Sequence, residues 1–218
     1  MVLLPGFAKG ETTNLGEYGP FKKIEFLTGT LDGSVWGFKA EKPDGKEYVI
    51  INGKEWGPYE EARWLEFSSD GSAWGFWAEK HDGNWYVVIN GKEWGPYRPY
   101  EKLPELLGFH LAFSSDGSSW GFEAEKPDGT EDVIINGKEW GPYEEAGEPE
   151  FSSDGSAWGF KAKKRDGNWY VVINGKEWGP YEDAWWPQFS LDGSVVLYAA
   201  TKIKPSYYRI ERIGVPTK

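Results

Sequence analysis

Residues 67–97 read FSSDGSAWGFWAEKHDGNWYVVINGKEWGPY and contain three turn signals, Asp70-Gly71, Asp82-Gly83 and Asn90-Gly91. Asp-Gly and Asn-Gly steps favour tight hairpins, because a type I′ turn needs positive φ at both central residues. Three hairpins join four antiparallel strands. We therefore predict strands at about 64–68, 73–80, 85–90 and 92–97.

The same unit recurs along the chain. The segment NGKEWGPY begins at Asn52, Asn90, Asn136 and Asn174, and DGS begins at Asp32, Asp70, Asp116, Asp154 and Asp192. The period is 38 residues, with one eight-residue insertion within about 98–112. Four-stranded units in tandem are typical of β-propellers, whose blades pack radially. We predict an all-β fold, a five-bladed β-propeller with four antiparallel strands per blade, formed by residues 1–218 as a single domain.

Alternation in the second strand indicates how the blades pack. Trp74, Phe76 and Ala78 share one face, and Gly75 on the other face would let a neighbouring sheet approach closely. The third strand, WYVVI, is apolar on both faces, as in a sheet covered on both sides. We expect each sheet to lie between two others.

The two ends of the chain are complementary. The chain ends after the equivalent of a third strand, and it begins with a worn fourth-strand motif, NLGEYGPF, at residues 14–21. We expect this N-terminal strand to complete the last blade, which would close the ring and remove a free sheet edge.

The unit also resembles a known repeat. FSSDG followed by GNWYVVING is similar to the WD40-like repeat of TolB-type β-propellers, whose blades begin with FSPDG. The resemblance extends from about residue 14 to residue 214 and implies a propeller fold. Two features depart from it: serine replaces the proline at Ser69, Ser115 and Ser153, and Gly29 stands where the other units have phenylalanine.

Composition excludes several classes of function. The net charge is −11, and no Lys/Arg cluster exceeds residues 163–165, so we expect no nucleic-acid partner. Cysteine is absent, which excludes disulfides and thiolate chemistry. Residues 1–10 lack a signal-peptide pattern, and no apolar stretch is long enough to span a membrane. We expect a soluble monomer of undetermined compartment that binds no membrane.

Catalytic signatures are also missing from the sequence. We find no nucleophile elbow, no phosphate-binding glycine loop and no metal-spaced His/Cys cluster. We therefore expect no enzyme activity, no metal and no cofactor.

One candidate binding set is an aromatic residue that recurs on every fourth strand. Its members are Tyr18, Trp56, Trp94, Trp140 and Trp178. These rings could stack on sugars and make a multivalent lectin, because linked weak sites gain avidity. Alternatively, each ring covers the next blade. The adjacent Gly-Pro step, which fixes the exit of the strand, favours packing.

A second candidate set breaks the fivefold symmetry, as a single binding site must. Its members lie in or just before the innermost strand, at the predicted mouth of the central channel: Trp64, Glu66, His110, Glu150 and Trp186. Glu66 and Glu150 could in principle act as the acid and base of a glycosidase.

These observations leave three hypotheses for function. The first is a non-enzymatic propeller scaffold that interacts with a protein or a carbohydrate. Its near-identical blades indicate recent duplication or engineering, and a chain of that origin could lack a dedicated ligand. The second is a carbohydrate-binding propeller, and the third is a five-bladed glycosidase.

Overall fold

The computed structural model describes residues 14–97, 111–126, 128–190, 193–204 and 207–215. Within these ranges the chain forms β-strands and no helix, and the strands make up five antiparallel sheets. The first sheet contains β1 (Lys23–Gly29), β2 (Trp36–Glu41), β3 (Glu47–Ile51) and β4 (Lys54–Tyr59). The second contains β5 (Glu61–Phe67), β6 (Trp74–Glu79), β7 (Trp85–Ile89) and β8 (Lys92–Tyr97).

The third sheet repeats this order, whereas the fourth has two short strands at its inner edge and the fifth has three strands among the described residues. The third contains β9 (Ala112–Phe113), β10 (Trp120–Glu125), β11 (Glu131–Ile135) and β12 (Lys138–Tyr143). In the fourth, β13 (Glu145–Ala146) and β14 (Glu150–Phe151) both pair with β15 (Trp158–Lys163), which is followed by β16 (Trp169–Ile173) and β17 (Lys176–Tyr181). The fifth contains β18 (Gln188–Phe189), β19 (Val195–Lys204) and β20 (Tyr207–Gly214).

The hairpin turns lie where the dipeptides place them. Asn90 has φ 48° and Gly91 has φ 82°, as an Asn-Gly hairpin requires. The Asn90 side-chain Oδ1 accepts a hydrogen bond from the Trp74 N–H at 3.0 Å, which ties the turn to β6. The prediction of an all-β fold is confirmed, and several four-stranded antiparallel sheets fit a propeller. Closure of the sheets into a five-bladed ring stays a prediction.

The innermost strand is longer than the sequence predicts. In the second sheet it begins at Glu61 rather than near Trp64. The register with β6 shifts between Arg63 and Glu66, and Trp64 has φ 54°. This bulge absorbs extra residues and lets pairing continue on both sides of it. No turn dipeptide marks the bulge, so the sequence carried no signal for it.

The hydrophobic core lies between neighbouring sheets. Val49 and Ile51 of β3 pack with Phe76 and Ala78 of β6, and Phe76 is fully buried. Trp74 stacks on Phe76 at a centroid distance of 6.0 Å, which confirms the predicted common face. Each interior sheet thus contributes apolar side chains to two cores.

Glycine on the opposite face of the second strand allows this close packing. A Cβ added to Gly37 would lie 2.8 Å from Leu65 Cδ2 of the next sheet. The same relation joins Gly75 to Leu111, Gly121 to Pro149 and Gly159 to Pro187. The predicted close approach is confirmed at these four junctions.

The outer flank of the first sheet differs from these junctions. Leu27, the equivalent of Leu65 in the first unit, is 75% exposed, and Gly33 has no atom within 4 Å of an added Cβ.

Residues 14–21 form no strand, and in the described part of the chain the fifth sheet has three strands. Local hydrogen bonds hold the N-terminal segment instead: Asn14 Oδ1 accepts from the Gly16 N–H at 2.9 Å, and the Tyr18 hydroxyl donates to the Leu15 carbonyl at 2.6 Å. The predicted N-terminal strand pairing is therefore absent among these residues.

Candidate functional site

The recurrent aromatic of the fourth strand lies against the next sheet. The Trp56 ring centroid is 4.8 Å from that of Trp74, and a Cβ added to Gly91 would overlap the Trp56 ring. Lys54 Nζ lies 4.0 Å from the same centroid, at the distance of a cation–π contact. Trp56 is consequently half-buried.

Equivalent contacts recur along the chain. Trp94 lies 5.1 Å from Trp120, and Trp140 lies 4.9 Å from Trp158. The Nε1 atoms of Trp94 and Trp140 are buried and have no hydrogen-bond partner among the described residues. The polar edge of each indole therefore faces the protein interior, where it cannot bind a sugar hydroxyl.

The two terminal members of the set behave alike. Tyr18 lies 5.3 Å from Trp36, so the N-terminal segment covers the first sheet as Trp56 covers the second. Trp178 packs on the core that contains Val196 of the fifth sheet, and Lys176 Nζ lies 4.1 Å from its ring. These are the contacts of packing residues. Sugar binding by this set stays a prediction.

The repeated aspartates of DGS hold their own turns. The Asp70 carboxylate accepts hydrogen bonds from Ser68 Oγ at 2.7 Å, Ser72 Oγ at 2.8 Å and the Ser72 N–H at 2.9 Å. The backbone and side-chain bonds from these serines lower the pKa of Asp70. The Asp70 N–H also donates to the Ser115 carbonyl of the next sheet at 3.1 Å. The turns therefore link successive sheets.

The symmetry-breaking residues of the second sheet lie around the β5 bulge. The Arg63 guanidinium lies 5.5 Å from the Trp64 ring and 5.2 Å from the Trp85 ring, and Arg63 pairs with Glu61. Glu66 is exposed and lies opposite Gly75 in the register. A cation is thus already held here between two indoles.

A similar arrangement lies where the fourth and fifth sheets meet. Lys161 Nζ is 3.7 Å from the Trp186 centroid and 4.7 Å from the Trp169 centroid. A Cβ added to Gly147 would lie 3.0 Å from Trp186 Nε1, which places Trp186 beside the Gly147–Glu148 step. Trp185 and Trp186 remain 55% and 43% exposed. Burial lowers the pKa of Lys161.

Carboxylates surround this region. Burial, then Glu131 and Glu148, raise the pKa of Glu123 to about 8. Glu131 is buried and accepts a hydrogen bond from the Ala146 N–H of the fourth sheet. Burial and then Glu148 also raise the pKa of half-buried Glu150. Lys161 opposes the shift at Glu123, so carboxyl groups and one ammonium share this region.

Sequence reasoning missed Glu123, although the repeat held a signal. The equivalent positions are Lys39, Trp77 and Lys161. In the first sheet Lys39 Nζ pairs with Glu47 Oε1 at 3.0 Å, and the third sheet places Glu123 and Glu131 at these two positions. A position-by-position comparison of the units would have revealed this exchange of an ion pair for two carboxyl groups.

The structure places the predicted mouth residues in two groups. Trp64 and Glu66 lie on the second sheet, while Glu150 and Trp186 lie on the fourth sheet and beside it. His110 lies outside the described residues. In the described part of the chain no helix could serve as a membrane span, and no group of His, Cys, Asp or Glu side chains is placed to hold a metal ion.

No protein-family model and no curated protein matches the chain. Among solved structures it is similar to a putative TolB from Agrobacterium tumefaciens, with 17% identity and a TM-score of 0.41 over 88% of this chain and 77% of that one. TolB from Acinetobacter baumannii is 16% identical with a TM-score of 0.43, over 88% of this chain and 52% of that one. Oligogalacturonate lyase from Vibrio parahaemolyticus is 15% identical with a TM-score of 0.39, over 85% and 63%. The chain thus resembles TolB-type propellers, and these similarities carry no information on its activity.

Proposed function

We propose that this protein is a non-enzymatic β-propeller scaffold that binds its partner at the ends of the inner strands. We define this inner surface by Trp64, Glu66, Glu150, Trp185 and Trp186. The observation that carries the proposal is the division of labour within the repeat. The apolar residues that the units share pack the sheets together, whereas the exposed indoles of Trp185 and Trp186 stand at positions where the units differ.

A closed five-bladed ring would place the whole inner surface around one channel mouth. The first flank supports closure, because Leu27 and Gly33 lack the contacts that their equivalents make at the other four junctions. Leaving Leu27 and its neighbour Phe26 in water costs free energy that burial against the fifth sheet would recover. Ring closure therefore belongs to the proposal.

The outer aromatic set is the weaker candidate for a binding site. Each tryptophan there contacts a sheet and a lysine ammonium, which leaves less of the ring for a ligand than at Trp185. A lectin built on Trp185 and Trp186 remains compatible with the proposed surface. The glycosidase hypothesis for Glu66 and Glu150, which lie two sheets apart, stays a prediction.

An array of glycans and peptides tests the location of the binding surface. We compare the wild type with the double variant Trp185→Leu/Trp186→Leu, which stays apolar but loses the aromatic faces, and with Trp56→Leu as the matched outer-ring variant. The double variant should lose the bound signals, and Trp56→Leu should keep them, with thermal melts checking that both fold. Signals lost only in Trp56→Leu would favour the outer lectin instead.

A further inference from the structure

The exposed indoles beside the fourth sheet require an explanation. Trp185 and Trp186 are adjacent in sequence, and both expose a large part of an apolar ring. Their equivalents in the first unit are Glu25 and Phe26, and in the second they are Arg63 and Trp64. Exposed aromatic side chains of this kind commonly anchor partners, because they bury much area at little entropic cost.

The chemistry around these rings indicates what they would accept. Lys161 shows that an ammonium fits against Trp186, at 3.7 Å from the centroid. Arg63 shows the same for a guanidinium near Trp64 and Trp85. Indoles attract cations through the negative face of the ring, and the attraction strengthens when water is excluded.

Charge points in the same direction. Burial is the first cause of the raised pKa values of Glu123 and Glu150, and the charge of Glu148 raises both further, whereas Lys161, which lies beside Gly147, opposes the shift at Glu123. The whole chain carries a net charge of −11, which would steer a cationic partner toward it.

We propose that Trp185, Trp186, Glu148 and Glu150 form a docking surface for a lysine-rich peptide segment of a protein partner. This inference rests on the proposed function, since it names the ligand class of the same inner surface. Lysine side chains would lie on the indole faces, and their ammonium groups would pair with the carboxylates. Arginine would fit the same chemistry with a broader, planar head group.

Proton linkage follows from this arrangement. Because a bound ammonium favours the ionised carboxylate, binding should lower the pKa of Glu150, which burial and then Glu148 raise, and should release protons. Affinity should therefore rise as pH increases through the titration of Glu150, whose pKa lies above its ordinary value. A purely apolar contact would show no such dependence.

A hexalysine peptide is the probe, measured by calorimetry with the full chain in low-salt and physiological-salt buffers. Glu150→Gln and Trp185→Leu should each weaken binding by about three- to tenfold, as expected for one ion pair or one cation–π contact. The matched control is Glu55→Gln, which removes the same charge from an exposed position on β4. Thermal melts verify that each variant is folded.

Equal losses for Glu55→Gln and Glu150→Gln would overturn the inference, because bulk charge alone would then explain binding. An affinity that Trp185→Leu leaves unchanged, or that does not rise with pH, would also overturn it.

Cellohexaose and a hexaglutamate peptide separate this inference from the proposed function. If either binds and Trp185→Leu abolishes that binding, the surface stands and the ligand class is wrong. Both proposals fail if Trp185→Leu weakens the binding of none of the three probes and also leaves every signal on the array of glycans and peptides unchanged.

Discussion

Position 123 shows how a single residue changes the electrostatics of a junction between two sheets. Lys39 in the first unit and Lys161 in the fourth supply a positive charge at this position, and Glu123 supplies a carboxyl group next to Glu131. Burial of the Glu123 carboxyl group disfavours its ionisation, and the nearby charges of Glu131 and Glu148 add to this effect. Glu123 is consequently protonated over much of the neutral range.

This arrangement predicts a pH dependence of stability. The folded pKa of Glu123, about 8, lies above its ordinary value of 4.5, so the folded chain holds more protons than the unfolded chain between these values. The free energy of unfolding should therefore fall as pH rises from about 4.5 through about 8. Glu123→Lys should create the ion pair of the first unit and remove this loss, raising stability at pH 8 by about 1–3 kcal/mol.

Urea denaturation at several pH values measures the effect. The reciprocal variant Lys39→Glu, which places a carboxyl group beside Glu25 and Glu47, should introduce the same loss of stability at high pH. A wild-type profile as flat as that of Glu123→Lys would show that Glu123 titrates normally.

At the scale of the strand and hairpin, the sequence predicted most of the architecture. The turn dipeptides fixed the hairpins because each needs a residue at positive φ, and the observed β6, β7 and β8 lie within one residue of the predicted ranges. The bulge at Trp64 was missed because its positive φ is typical of Gly or Asn and not of a bulky tryptophan. Residues 14–21 were predicted as a strand, but their local hydrogen bonds replace strand pairing among the described residues.

The candidate site was only partly predictable, and the reason is physical. Departures from a repeat identify Trp64, Glu150 and Trp186 without a structure, because a packing residue is constrained to recur and a surface residue is not. Burial and electrostatic coupling depend on contacts between units. The raised pKa of Glu123 and the position of Lys161 against Trp186 therefore required the structure.

The glycines of two hairpins provide a matched test of packing against backbone strain. Gly91 has φ 82° and lies under the Trp56 ring, whereas Gly83 has φ 74° and no atom within 4 Å of an added Cβ. Gly83→Ala should cost about 1 kcal/mol through strain alone. Gly91→Ala should cost about 2–4 kcal/mol, because it also displaces an indole that covers the sheet.

Chemical denaturation of the two variants gives this difference directly. The fluorescence of the tryptophans should also shift to the red in Gly91→Ala, since the Trp56 ring would move toward solvent. Equal costs would mean that the indole adjusts freely, and the ring would then be a more credible platform for a ligand.

At the scale of the whole molecule, closure depends on a fifth junction unlike the other four. Leu65 packs on Gly37 of the preceding sheet. In the repeat, Leu27 is the equivalent of Leu65 and Leu197 is the equivalent of Gly37, so in a closed ring Leu27 would face a leucine instead of a glycine. A leucine cannot admit a neighbour as closely as a glycine can, so a closed ring would be wider at this junction. The Tyr18 ring already covers the adjoining part of the first sheet, 5.3 Å from Trp36.

A pair of cysteines tests whether the ring closes. The natural chain has no cysteine, so Leu27→Cys/Leu197→Cys introduces the only pair. In a closed ring, replacing both leucines by the smaller cysteine should let the two Cα atoms approach to the roughly 4.4–6.8 Å that a disulfide spans, and mild oxidation should then yield a monomer that migrates faster without reductant. Leu27→Cys alone can form only dimers and is the control. Disulfide-linked dimers as the sole product of the double variant would mean that the first and fifth sheets stay apart within one chain, because a cysteine reaches only its nearest partner. The exposed flank at Leu27 would then be an open edge of the array, and the inner surface would line an open arc instead of a channel mouth.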